Sequence, residues 1–290
     1  QGYVEARCKD VLTGSTVYFD TPTVTGTENM LMASVMATGT TIIKNAAREP
    51  EVGTLVDMLM TMGADIEGKD NDRLTVHGVR SLQPATIDII PDRIETGTYL
   101  IAVAATGGRV RVEQCNPTHL PALTEKLRSA GIAVEEEEGA FTVSCSEQVE
   151  RNQCRLRSVD VKTLVYPGFP TDLQAQFMAL VIQAEGTSII HETIFENRFM
   201  HVAELQRLGA DITIDGASAV VRGISLEKIC GAPVMATDLR ASASLVIAGL
   251  VASGITEISR IYHLERGYEN MIEKLQALGA DIHRSSSTIV

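Results

Sequence analysis

The sequence has no tryptophan, and aromatic residues make up only 4% of its 290 positions. With 44% hydrophobic residues, its core must be aliphatic. Long apolar runs are missing too: Ser244–Ala252, among the longest, is too short to cross a bilayer. Cysteine is sparse. Cys8, Cys115, Cys145, Cys154 and Cys230 are odd in number and widely spaced, with no Cys-x-x-Cys pair, so they read as reduced thiols of a cytoplasmic protein. The six histidines show no metal-ligand spacing, and no metal is expected. Basic residues are outnumbered, 25 against 37 acids, for a formal net charge of −12. That argues against nucleic acid or an anionic membrane as partner, though not against a small anion held by a local arginine cluster. The opening Gln-Gly-Tyr-Val-Glu-Ala has neither the basic start nor the apolar run of a signal peptide. It has no initiator Met either, which fits processing or a piece of a longer chain.

What the sequence does have is repetition. Four segments open on a glycine (Gly39, Gly107, Gly186, Gly254), run through an extended stretch, a loop and a helix, and close on another (Gly63, Gly131, Gly209, Gly279). Each closing glycine follows a helical run and precedes a strand, where a left-handed C-cap belongs. Ahead of each opening glycine the pattern predicts a helix: Thr27–Ala37, Ile94–Ala105, Leu173–Ala184 and Leu239–Ala252. Extended runs precede these helices at Ser15–Asp20, Ala85–Ile90, Ser158–Val165 and Ala232–Ala236. Two short β-runs follow the closing glycine. The unit is strand–helix–strand–helix–strand–strand, so the class is α/β with parallel pairing across the crossovers. Apolar helix faces suggest helices buried together with sheets outside. A boundary is expected near Pro84–Pro91. The four acids Glu135–Glu138 read as a solvated hairpin tip, and residues 285–290 as the start of a final strand.

Function in such a scaffold lives in the loops before the helices. In Pro167-Gly-Phe-Pro-Thr-Asp-Leu-Gln-Ala-Gln176 two roles are open to Asp172. It, or Thr171, caps the following helix, or it sits at a cleft mouth facing a substrate hydroxyl. Arg48, Arg198, Arg240 and Arg266 all fall near expected helix N-termini, where a cation opposes the helix dipole. For any one of them a neighbouring acid (Glu49, Glu196, Asp238, Glu265) is compensation enough. Four together favour a bound phosphate or carboxylate. Gly267 beside Arg266 suggests backbone mobility. Thr23-Val-Thr-Gly-Thr27 either cradles a phosphate or only caps a helix, and it lacks the lysine and spacing of a P-loop. Cys115 has no acid–base partner in view and reads as a buried or loop thiol.

Six stretches carry a resemblance: Asn45-Ala-Ala-Arg-Glu-Pro-Glu51, Pro91–Gly97, Phe169–Phe177, Phe195-Glu-Asn-Arg-Phe-Met-His201, Ala236–Ala243 and Arg260–Glu269. Together they resemble the UDP-N-acetylglucosamine 1-carboxyvinyltransferases, a family of enolpyruvyl transferases. The resemblance implies an inside-out α/β barrel of two domains with three repeats each. Residues 1–86 would be the last repeat of the first domain, and 87–290 the second. It implies transfer of an enolpyruvyl group from phosphoenolpyruvate to the 3-hydroxyl of UDP-N-acetylglucosamine, with release of phosphate. That is the first committed step of peptidoglycan precursor synthesis, and it needs no metal or redox cofactor. Asp172 would be the base. Arg240 and Arg266 would grip phosphoenolpyruvate. Thr23, Val24, Ile194 and Arg198 would bind substrate, the first three lining the nucleotide-sugar site. The family's Lys-Asn pair and its loop with a reactive cysteine have no counterpart here, so this chain would hold half a site and be inactive alone. A non-catalytic nucleotide-sugar-binding fragment, or a sister enzyme acting on shikimate 3-phosphate, are the alternatives.

Overall fold

The structure, a computed structural model, describes residues 2–3, 5–8, 10–145 and 156–285. Cys154 and all but the first residue of the expected final strand lie outside these. The chain divides into two compact units, Gln1–Ile90 with Val165–Pro167, and Pro91–Leu164 with Gly168–Val290.

The first unit is one repeat. Its elements are β1 (Thr16–Tyr18), α1 (Val24–Ser34), β2 (Thr40–Lys44), α2 (Pro50–Thr61), β3 (Asp65–Glu67) and β4 (Arg73–His77). The sheet order is β1-β2-β4-β3, parallel at β1-β2 and antiparallel elsewhere. Leu31, Ile43, Val52, Val56, Leu74 and Val76 form its aliphatic core.

The second unit opens with α3 (Arg93–Thr106), β5 (Arg109–Glu113), α4 (Pro121–Ser129), β6 (Ile132–Glu137) and β7 (Ala140–Cys145). The next repeat has β8 (Val161–Lys162), α5 (Gln174–Val181), β9 (Thr187–His191), α6 (His201–Arg207), β10 (Asp211–Asp215) and β11 (Ser218–Arg222). The last has β12 (Pro233–Met235), α7 (Leu239–Val251), β13 (Glu257–Ser259), α8 (Tyr262–Glu265) and α9 (Met271–Ala277). The β8-β9-β11-β10 sheet has the same topology as that of the first unit, and β12-β13 is again parallel.

Helices α3, α5 and α7 pack on one another at the centre of this unit, and the three sheets lie around them. Their middles carry no charge and are mostly aliphatic and small, with Tyr99 and Phe177 buried among them, so they bury every side. Gly97 lets α3 come close: a Cβ there would lie 2.6 Å from Leu173 Cδ1 and 2.9 Å from Leu123 Cδ2. The closing glycines behave as the sequence predicts, with φ of 99°, 97°, 101° and 98° at Gly63, Gly131, Gly209 and Gly279. Behind three of them the next N–H reaches back to satisfy a free helix carbonyl, as in Ala64 to Leu59, Ala210 to Leu205 and Ala280 to Leu275.

Three expectations need correction. Ala85–Ile90 forms no strand, leaving β5-β7-β6 three-stranded. The run is largely exposed, Ile89 at 79%, and finds no ladder partner among the described residues. The acids at 135–138 are not simply a hairpin tip. Glu135, Glu136 and Glu137 lie on β6 and pair with Arg109 (3.9 Å), Arg128 (2.8 Å) and Arg111 (2.7 Å), and the turn itself falls at Glu138-Gly139. Gly267 has an ordinary φ. It is small because a Cβ would meet Leu239 at 2.7 Å, so it serves packing rather than mobility.

Candidate active site

The repeats differ in how their central helices begin. Sixteen residues ahead of the opening glycine stand Thr23, Pro91, Pro170 and Asp238. Behind Pro91 the next residue, Asp92, caps α3, its Oδ1 accepting from Ile94 N (2.7 Å) and Glu95 N (3.1 Å). Thr23 Oγ1 accepts from Gly26 N, and Asp238 Oδ1 accepts from Arg240 N (2.8 Å) and Ala241 N (2.9 Å). Pro170 has no acceptor to offer. The chain passes through a 3₁₀ turn, Thr171–Leu173, without a side-chain cap, and α5 starts only at Gln174. The expected capping by Thr171 or Asp172 is absent: Thr171 Oγ1 is engaged by Glu192 and Arg198, and the Asp172 carboxylate by Arg198 and Arg240.

The Asp172 carboxylate instead takes one guanidinium on each oxygen. Arg198 Nη2 donates to Oδ1 at 2.6 Å and Arg240 Nη2 to Oδ2 at 2.9 Å. Arg198 comes from the loop before α6, and Arg240 from the first turn of α7. Burial pushes the Asp172 carboxyl up, but the two guanidiniums outweigh it and hold it below its ordinary value. Arg240 is raised in turn by Asp172 and Tyr268, against the effect of its burial.

Behind the ion pairs lies a buried polar layer. Thr98 gives its proton to Ile94 O, so the Tyr268 hydroxyl, 3.0 Å away, must donate to Thr98 Oγ1. Tyr268 Oη is then free to accept from Arg240 Nη1 (3.3 Å) and Gln176 Nε2 (3.2 Å). Gln176 Nε2 also lies 2.9 Å from the carbonyl of Asp172. On the other side, Thr171 Oγ1 accepts from Arg198 Nη1 at 2.7 Å and donates to buried Glu192 at 2.9 Å. His201, 2% exposed, sits between the fields of Asp238 and Arg198. Its Nε2 has no hydrogen-bond partner, and burial lowers its pKa to about 4.

Of the residues singled out in the sequence, the structure brings Asp172, Arg198 and Arg240 together. Arg266 is not among them. It follows α8 rather than heading a helix, is exposed, and has no side-chain partner among the described residues. Ile194, partly exposed, lies on the loop leading to Arg198, its N–H donating to Glu192 Oε1. Thr23 and Val24 start α1 in the first unit, and the Thr23–Thr27 stretch does a cap's work. Neighbouring acids do not compensate the arginines. Asp238 caps, Glu265 pairs with Arg284, and Arg198 stacks on Phe195 at 4.7 Å. Arg48 donates to Tyr166 O, and Glu49 Oε1 accepts from Tyr166 N. Cys115 is buried against the carbonyls of Val112 and Gly139, and burial pushes its thiol up, which makes it inert. Among the described residues no group of three or more His, Cys, Asp or Glu is placed to hold a metal ion, and no helix is long and apolar enough to cross a membrane.

Sequence reasoning missed Glu192, Thr98, Gln176, Tyr268 and His201. Three of these lie inside stretches examined only for their charges. Nothing around Thr98 distinguishes it from other helical threonines.

A model of the family described as EPSP synthase (3-phosphoshikimate 1-carboxyvinyltransferase) matches residues 1–275. The UDP-N-acetylglucosamine 1-carboxyvinyltransferase of Desulfosudis oleivorans is 56% identical over 98% of this chain and 66% of its own length. That of Myxococcus xanthus is 54% identical over 99% and 66%. The chain thus spans just under two thirds of the curated relatives it matches. Among solved structures, the enolpyruvyl transferase NikO from Streptomyces tendae aligns with a TM-score of 0.84 at 28% identity, over 93% of this chain and 65% of its own. EPSP synthase from Acinetobacter baumannii, at 21% identity and a TM-score of 0.72 over 95% and 64%, shares the fold.

Proposed function

The chain belongs to the EPSP synthase family of 1-carboxyvinyltransferases, and on that premise we propose that it serves enolpyruvyl transfer to UDP-N-acetylglucosamine. The sugar 3-hydroxyl adds to C2 of phosphoenolpyruvate while a proton goes to its methylene carbon. Phosphate then leaves as that carbon gives a proton back, restoring the enol. The step belongs to cytoplasmic synthesis of peptidoglycan precursors. It asks of a protein a base for the hydroxyl, a proton donor, and cations for phosphate and carboxylate.

The observation that carries this reading is Asp172 held between Arg198 and Arg240. At rest Asp172 is a poor base, since both guanidiniums favour its ionised form. An incoming phosphate or carboxylate competes for them. Once they turn to the substrate, the upward push of burial remains and Asp172 gains proton affinity. The same anion that is to react thus arms the base. Arg266, exposed and without a side-chain partner among the described residues, is free to join the anion. Thr23, Val24 and Ile194 are each assigned to sugar-nucleotide binding in this proposal.

The first unit is, on this reading, the last repeat of a first domain, and the second unit is a complete second domain. Exposure of α1 supports this. Met32, seven residues ahead of its opening glycine, is 50% exposed, while its counterparts Leu100, Ala179 and Ile247 are fully buried. Two further repeats would cover it. This chain then holds only part of the site and does not turn over alone. The 66% span of the relatives also favours a second reading, a fragment that binds the nucleotide sugar without catalysis. Competition decides the acceptor. With the rest of the protein supplied, UDP-N-acetylglucosamine is consumed and shikimate 3-phosphate neither reacts nor competes. Consumption of shikimate 3-phosphate would reverse the assignment.

A further inference from the structure

Glu192 is a carboxylate only 3% exposed, with no ion pair among the described residues. Four neutral donors satisfy it. Oε1 accepts from Thr163 Oγ1 (2.8 Å), Ile194 N (2.8 Å) and Phe195 N (3.1 Å), and Oε2 accepts from Thr171 Oγ1 (2.9 Å). Thr193 N in turn donates to Thr163 Oγ1 at 2.8 Å, closing the turn that leads into the Arg198 loop. Burying a charge this way is costly unless every lone pair is used. A hydrophobic side chain would leave the Ile194 and Phe195 N–H groups without an acceptor, so the turn needs an acceptor here; an amide oxygen would serve that need, and what the carboxylate adds is a second oxygen that can only accept.

The consequence falls on the single proton of the Thr171 hydroxyl. An ionised carboxylate can only accept, so Thr171 must give its proton to Glu192. Its lone pair then faces Arg198, whose Nη1 donates to it at 2.7 Å while Nη2 donates to Asp172 Oδ1 at 2.6 Å. We propose that Glu192 is a positioning residue: its charge fixes the direction of the Thr171 hydroxyl, and Thr171 and Asp172 together then hold both terminal nitrogens of Arg198. The orientation follows from the geometry alone, and its bearing on turnover rests on the role proposed for Asp172.

Glu192→Gln tests the charge without changing the shape. An amide turned one way sets its NH₂ against Thr163, Ile194 N–H and Phe195 N–H. Turned the other way it donates to Thr171 and reverses that hydroxyl toward Arg198. Thr171→Val cuts the link and leaves the loop's bonds to Glu192 intact, while Thr171→Ser keeps it. The readout is the titration of the Asp172 carboxyl by ¹³C NMR in this chain. The charged groups facing that carboxyl are Arg198 and Arg240, with Tyr268 behind Arg240 and neutral His201 beside Arg198. Glu192→Gln and Thr171→Val are expected to move the midpoint upward by about half a pH unit or more, and Thr171→Ser to leave it in place. If Glu192 served folding only, Glu192→Gln would lower thermal stability while Thr171→Val left the Asp172 midpoint unchanged. That unchanged midpoint would overturn the proposal. These titrations involve no turnover, so a failed transfer assay and a failed relay are separate results.

Discussion

At Asp172 burial and two guanidiniums act in opposite directions, and the balance can be tipped from outside. Saturating phosphoenolpyruvate is expected to raise the Asp172 midpoint, read by ¹³C NMR, because the anion draws the arginines away. The same group shapes acid stability. Its folded pKa is below the unfolded value near 3.8, so its contribution is complete above that value and is lost as pH falls through the lower folded one. His201 works in a higher window. Held neutral with a folded pKa of about 4 against an ordinary 6.5, it costs stability as pH falls from about 6.5 to 4, on the order of 3 kcal/mol at the end. Urea midpoints for His201→Phe should accordingly fall less between pH 7 and 4.5 than those of the parent chain; an identical loss would rule out His201 as the cause. Asp172, Arg198 and Arg240 were legible in the sequence and their pairing was not. Pairing depends on Arg198 and Arg240 reaching Asp172 from two other segments of the chain, and local sequence carries no record of that. Thr98, Gln176 and Tyr268 were illegible as well. They meet from three segments far apart in the chain, and neutral polar residues in a helix leave no local signature of what they will face.

Among elements, α3, α5 and α7 decide where the site residues stand. Gly97 brings α3 within reach of Leu173, one residue beyond Asp172. Gly97→Ala is expected to destabilise the second unit by about 1–3 kcal/mol through overpacking in a full core. It should also disturb the Asp172 titration, because the 3₁₀ turn must shift. Chemical denaturation and the NMR midpoint check both, and an Ala variant of parental stability would show the contact to be soft. The helices and closing glycines were readable because the left-handed cap and the apolar pattern are local. The Ala85–Ile90 strand failed because its alternation of apolar residues says nothing about a partner, and exposure of Ile89 shows that none covers it. The acidic run failed for a related reason. Arginines on β5 and α4 draw three of its four members into the ladder.

For the whole molecule, four repeats divide one to three between two units with separate cores. The half-exposed Met32 is the counterpart of residues fully buried in the other three repeats. On the function proposed above, the chain carries one side of an enolpyruvyl transferase site, with Asp172, Arg198 and Arg240 on it and the remainder supplied by sequence its relatives have and this chain does not span. The most direct test is release of phosphate from phosphoenolpyruvate and UDP-N-acetylglucosamine by this chain alone, and by this chain with the missing part of the Desulfosudis oleivorans relative added in trans. No release is expected from the chain alone, release is expected on complementation, and Asp172→Asn should lower that release by at least about a hundredfold. Release by the chain alone, or full activity of complemented Asp172→Asn, would contradict that reading.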